Sequence, residues 1–138
     1  EDTVRWHTRV DRPPAVDPDS DALTNNVVAL TVTADMHPAQ IPESDSCAAV
    51  VIAATGAGHI PPKIIDPLDA LAEAGVPIVA TTRCPEGRLA VDTYDFPGSE
   101  QTLQELGCYY SDRNLQKARI DTIVGLGSQQ LEDVLYRP

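Results

Sequence analysis

Three stretches, "NNVVALTVTA" (25–34), "CAAVVIAAT" (47–55) and "VPIVATTR" (76–83), are continuous apolar or β-branched runs without strict alternation. A strand with one solvated face would alternate, so these runs predict strands covered on both faces. Between the second and third, "PPKIIDPLDALAEAG" changes to a helical period. Ile64, Ile65, Leu68, Leu71 and Ala72 share one stripe, while Asp66, Asp69 and Glu73 fall elsewhere. Gly75 stands where a helix C-terminal cap belongs. Pro67 lacks a backbone donor, so a helix starting at Pro61 is expected to kink or restart, with Asp66 as N-cap and Pro67 in the first turn. Further on, "SEQTLQELG" (99–107) predicts a short helix and "CYYS" (108–111) a short fourth strand. Asn114 is a capping residue for a helix carrying Leu115, Ala118, Ile120, Ile123 and Val124, and Ser128 for a last helix through Tyr136.

Strands alternating with helices imply a parallel sheet with right-handed crossovers. The expected fold is therefore α/β: a small doubly wound, flavodoxin-like or Rossmann-like three-layer domain with a parallel sheet of about four strands. It is expected over residues 23–138, preceded over 1–22 by a linker or N-terminal extension rich in Asp and Pro ("DRPP", "DPDS"). In such a sheet ligands sit beyond the carboxyl ends of the strands, where "TGAGH" (55–59) and "TTRCPEGR" (81–88) both lie. The segment "RLAVDTYDFPG" (88–98) alternates Leu89, Val91, Tyr94 and Phe96 with few charges. It reads as a covered surface, either an interface or a hairpin-like flap over its own sheet.

Composition narrows the classes. The chain has 138 residues, 42% hydrophobic and 22% charged, enough for one core and too few for two. A formal charge of −11 argues against nucleic acid and anionic membrane as partners, because affinity for both comes mainly from Lys and Arg. No apolar run approaches the roughly 20 residues that span a bilayer, and no signal-like segment is visible. The expected location is cytoplasmic. Cys47, Cys84 and Cys108 are widely spaced, which suggests neither a disulfide framework nor a metal site and reads as plain buried or half-buried thiols in a reducing compartment. No metal and no cofactor is expected. The chain begins with Glu1 and reads as a piece of a longer protein.

Two chemistries fit the loop after the second strand only weakly. Phosphate binding uses glycines to expose backbone donors at a helix N-terminus, but "GAGHIPP" matches neither a dinucleotide fingerprint nor a P-loop, and Pro61 and Pro62 have no N–H to offer. Nucleophilic catalysis by Thr55 would need an adjacent base and an oxyanion hole, and a threonine ending a buried strand is more often structural.

The motifs "AATGAGHIPPKIIDPLDALAEAGVPIVATTRCPEGR" and "GCYYSDRNLQKARIDTIVGL", taken in order, resemble the C-terminal domain of the L-asparaginase/glutaminase family over about residues 25–138. That family carries a G-x-G-[NH] loop, a helix, a strand with "G-x-x-[VI]-V-x-x-[ST]-R-x-P-x-G", and a later "L-[NS]-P-Q-K-A-R" helix start. Its nucleophilic threonine lies in an N-terminal T-G-G-T motif, with further catalytic groups partly in H-G-T-D-T, and neither occurs here. The resemblance thus implies no catalytic residue in this chain, which alone is expected to be inactive. It implies instead a supporting half of an amidohydrolase that acts on asparagine or glutamine, joined to an N-terminal catalytic domain and assembled as a homodimer or homotetramer.

In many members the C-terminal domain projects polar residues into the partner's active site. By motif position His59, following Gly58, corresponds to a loop Asn in secreted-type enzymes and to a His in the related subunit acting on misacylated tRNA. The resemblance implies that His59 bonds the substrate α-amino group or a neighbouring catalytic residue; a bland alternative makes it a cap for the helix at Pro61. Tyr94 falls near a position often occupied by glutamate in secreted-type enzymes, and tyrosine supplies no carboxylate there. Arg83 and Lys117 match the family's "TTRCPEG" and "LQKAR" positions and are expected to support the site structurally. Leu115 replaces a customary proline. The alternative to an enzyme half is a regulatory amino-acid-binding or oligomerisation domain without catalysis.

Overall fold

The computed structural model describes residues 15–138. Strands β1 (Val27–Thr31), β2 (Ala49–Ala54), β3 (Ile78–Thr82) and β4 (Tyr109–Tyr110) form one sheet in the order β1-β2-β3-β4, and every neighbouring pair is parallel. The apolar runs form strands because both faces are covered: every residue of β2 and β3 is buried. Period two divides them. Val50, Ile52, Ala54, Ile78 and Ala80 pack with Leu68 and Leu71 of α1 (Ile65–Glu73) and Leu103 of α2 (Glu100–Glu105). Ala49, Val51 and Val79 face the other way, toward Ala118 of α3 (Leu115–Ser128) and the partly buried Leu131 and Val134 of α4 (Leu131–Val134). The three-layer α/β expectation holds. The second helical layer comes from α3, which follows β4 and crosses back under the sheet.

Several local expectations need correction. β1 is an edge strand, so Ala29 and Thr31 remain exposed instead of being covered on both faces. Asp66 is not the N-cap of α1; Ile64 is, with no side-chain cap bond, after a 3-10 turn over Pro62–Ile64. That turn is the expected restart. Pro67 then sits in the first helical turn, where its missing N–H would have had no intrahelical partner. Ser128 caps nothing: it ends α3, its hydroxyl donates to the Gly125 carbonyl (3.2 Å), and α4 starts only at Leu131. Tyr136 lies past α4 in an antiparallel bridge with Tyr110.

Other caps stand as read. Gly75, at φ +78, lets its own N–H reach the Ala72 carbonyl (2.9 Å) and the Val76 N–H reach Leu71 (3.0 Å), closing α1 with the paired bonds of a Schellman turn. Asn114 Oδ1 accepts the Lys117 N–H at 3.0 Å. Cys47 and Cys108 are buried, whereas Cys84 is exposed and so departs from the expected half-buried class; burial pushes the Cys108 thiol up to about 12. Of the expected extension over 1–22, residues 1–14 lie outside the described structure. Residues 15–22 form no helix or strand, although the Asp19 N–H donates to the Gly127 carbonyl (3.2 Å). Among the described residues no helix is long and apolar enough to cross a membrane.

The segment 88–98 is neither a hairpin nor a strand. Its backbone bonds run elsewhere: the Ala90 N–H donates to the Ala57 carbonyl (2.7 Å), and the Gly98 carbonyl accepts the Ile60 N–H (2.8 Å). Leu89 is buried, while Val91, Tyr94 and Phe96 are 44%, 42% and 45% exposed.

Gly98 holds this segment down. Its φ of +91 disfavours any side chain, and a Cβ there would overlap the Ile60 carbonyl oxygen. Gly98→Ala is expected to destabilise the chain by more than the about 1–3 kcal/mol of the backbone conformation alone. Gly87→Ala, at φ +118 with open space around it, should cost only the conformational part. Urea unfolding of the two variants checks the difference, and equal losses would contradict the close-approach argument.

Candidate functional site

Beyond the carboxyl end of β2 the chain closes on itself within five residues. The N–H and hydroxyl of Thr55 both donate to the His59 carbonyl, at 3.0 and 2.9 Å, and the His59 N–H returns to the Thr55 carbonyl at 2.9 Å. Gly56 and Gly58, at φ +51 and +118, supply the reversal. From the end of β3, the Thr82 hydroxyl donates to the Gly56 carbonyl at 2.7 Å. The Thr55 hydroxyl is thereby committed to stapling the loop.

This loop presents His59, 29% exposed at its side chain, against the 88–98 segment. The rings of Tyr94 and Phe96 meet the imidazole edge-on, with centroids 4.8 and 5.0 Å away. Behind it lies Glu100 at the start of α2, fully buried. Glu100 Oε1 accepts the N–H groups of Thr93 (2.7 Å) and Tyr94 (2.6 Å), while Oε2 faces His59 Nε2 at 3.9 Å. Gly58 lies close against this arrangement, since a Cβ there would be in van der Waals contact, at 3.4 Å, with both Glu100 Cβ and Leu89 Cδ2.

Burial pushes the Glu100 carboxyl up, but the N–H donors of Tyr94, of Glu100 itself and of Thr93, with His59 beside them, outweigh burial, and the net direction is down. Below the carboxylate the buried Tyr110 hydroxyl donates to the Glu100 carbonyl (3.1 Å). Burial raises this hydroxyl to about 12, so it remains a neutral donor.

The structure therefore brings Gly58, His59 and Tyr94 together and adds Phe96, read from the sequence only as part of a covered surface, and Glu100, which sequence reasoning missed. Phe96 had a signal, its place in the apolar alternation of 88–98. Glu100 had none, because a glutamate in a first helical turn ordinarily faces water. His59 does not cap the following helix: neither the 3-10 turn nor α1 receives a side-chain cap bond.

Arg83 and Lys117 stand apart from the cluster. Arg83 is exposed, its N–H donates to the Ala54 carbonyl (2.9 Å), and its Nη1 reaches the Val32 carbonyl (3.2 Å) past the end of β1. Lys117 is exposed in the first turn of α3. The motif residue with the firmest hold is Arg119, which donates at 2.8 Å to both the Val27 and Asn25 carbonyls and ties α3 to β1. The cleft between α3 and α4, lined by Gly125, Leu126 and Leu131 among others, shares no residue with the His59 cluster. Among the described residues no three His, Cys, Asp or Glu side chains gather closely enough to hold a metal.

A parallel three-layer domain with a polar loop beyond its strand ends defines the class. The chain belongs to the glutaminase/asparaginase C-terminal domain family, whose sequence model matches residues 26–135. Two solved structures share the fold. The thermostable L-asparaginase from Thermococcus kodakarensis is 23% identical with a TM-score of 0.67, over 82% of this chain and 35% of that one. A probable cytoplasmic L-asparaginase from Campylobacter jejuni is 23% identical with a TM-score of 0.60, over 79% of this chain and 36% of that one. The chain thus spans about a third of the length of these structures. No curated protein matches it.

The lowered Glu100 carboxyl has a defined pH signature. Its contribution is complete above the ordinary value of 4.5 and is lost as the pH falls through the lowered one. Amide shifts of Thr93 and Tyr94, followed by NMR during acidification, should move with a midpoint below 4.5. A midpoint above it would contradict the donor arrangement.

Proposed function

We propose that this chain is the C-terminal domain of an L-asparaginase, an amidohydrolase that releases aspartate and ammonia from L-asparagine. In this reading it completes the active site and the dimer of a longer, cytoplasmic enzyme whose catalytic threonines lie in an N-terminal domain. The observation that carries it is the His59 cluster: a polar side chain at a strand-end loop, braced by aromatic edges and a buried carboxylate, with no nucleophile of its own. Gly58, His59 and Tyr94 would face the partner's substrate, asparagine or glutamine. Arg83 and Lys117 would hold the surrounding elements.

Amide attack needs an activated nucleophile and an oxyanion hole. The chain alone should therefore release no ammonia from asparagine or glutamine. In the longer enzyme, His59→Ala should lower kcat/KM by about tenfold to a hundredfold, as expected for one lost hydrogen bond to a charged partner of roughly 1.5–3 kcal/mol. The loss in kcat/KM should exceed the loss in stability. Early melting with normal kinetics would assign His59 to packing.

Assembly gives a second check. Tyr94 and Phe96 expose apolar area around His59, with Val91 exposed on the same segment, the surface expected of a covered interface. The isolated chain should self-associate weakly, and Tyr94→Ser with Phe96→Ser should render it monomeric without unfolding. Sedimentation over a concentration series reads this, and a strict monomer at high micromolar concentration would count against the interface.

A further inference from the structure

Two buried polar atoms face each other in the cluster, and neither has another partner. His59 Nε2 and Glu100 Oε2 are both cut off from solvent, without a hydrogen bond, and 3.9 Å apart. Oε2 cannot turn away, because Oε1 is held by the Thr93 and Tyr94 N–H groups at 2.7 and 2.6 Å. The ring is bracketed by the edges of Tyr94 and Phe96. A lone pair on Nε2 would face a carboxylate lone pair in a buried gap and repel it. A proton on Nε2 turns that repulsion into attraction across the gap.

We propose that Glu100 is a positioning residue that keeps the proton of neutral His59 on Nε2, so that Nδ1 is left as a hydrogen-bond acceptor. Nδ1 makes no hydrogen bond to any described residue, which leaves it available to a ligand. An acceptor there selects a donor such as an ammonium or a backbone N–H and discriminates against a carboxylate. This use of Nδ1 rests on the functional reading above. The placement of the proton does not.

Glu100→Gln separates the two. The amide oxygen can keep the Thr93 and Tyr94 donors, which places the NH₂ group where Oε2 stood. A donor then faces Nε2 and favours the proton on Nδ1. The test is long-range ¹H–¹⁵N correlation NMR on the ¹⁵N-labelled chain at alkaline pH, raised until the ring ¹⁵N shifts no longer move, so that they report the neutral imidazole. His59→Gln assigns the signal against His7 and His37. The wild type should show predominantly Nε2–H, and Glu100→Gln should lower the ratio of Nε2–H to Nδ1–H by about fivefold or more, the scale of one neutral hydrogen bond donated to Nε2 by the variant's NH₂ group.

An unchanged ratio, with the Thr93 and Tyr94 amide shifts in place, would overturn the proposal. If the variant does not fold, the wild-type chain compared with itself unfolded in urea decides: a ratio of Nε2–H to Nδ1–H no higher in the folded chain overturns the proposal, and a severalfold higher one supports it. Unaltered kcat/KM for His59→Ala in the longer enzyme would remove the functional reading and leave the tautomer result standing.

Discussion

A carboxylate taken out of water costs several kcal/mol unless its lone pairs are met, and Glu100 is buried completely. Two short bonds from consecutive backbone N–H groups, Thr93 and Tyr94, meet one oxygen. Most of the candidate site follows from satisfying that charge. The donors bring the irregular 88–98 segment onto the sheet end, and the same segment delivers Tyr94 and Phe96 to the flanks of His59. Gly58 is favoured because its φ of +118 is one that side chains rarely adopt. Without the carboxylate, this part of the segment would lose the acceptor for two of its N–H groups.

The parallel sheet supplies the frame. All four strands point their carboxyl ends the same way, so the loop after β2, the turn after β3 and the start of α3 share one edge. Threonines at the strand ends convert the edge into a rigid platform. Thr55 and Thr82 both direct their hydroxyls to carbonyls of the 55–59 loop, and Thr81 donates to the Arg113 carbonyl before α3. β-Branched side chains suit the strands, and their hydroxyls bond carbonyls of the adjoining loops.

The basic motif residues act on backbone in the same manner. Arg83 reaches the carbonyl after β1, and Arg119 spans two carbonyls at its beginning. Their planar guanidinium groups offer several donors from a fixed fork, which suits tying a helix or a turn to an edge strand with open carbonyls. Both ends of β1, the exposed edge of the sheet, are fastened this way.

The sequence by itself determined the strands, the helix order, the Gly75 and Asn114 caps and the loop bearing His59. Each rests on local information: continuous apolar runs for two-sided burial, a 3.6-residue stripe for α1, and residue types suited to particular backbone angles. The motif order from Ala53 to Leu126 also carried the family. The tertiary structure alone decided that Asp66 and Ser128 do not cap, because neighbouring turns had already set the helix ends. It also decided that the alternation of 88–98 forms no strand, because a strand needs a partner along its backbone and these N–H groups found a carbonyl and a carboxylate instead. Glu100 is the clearest case. A glutamate in a first helical turn is locally indistinguishable from a solvated one, and only the chain folding over it from six to seven residues upstream makes it the buried charge beneath His59.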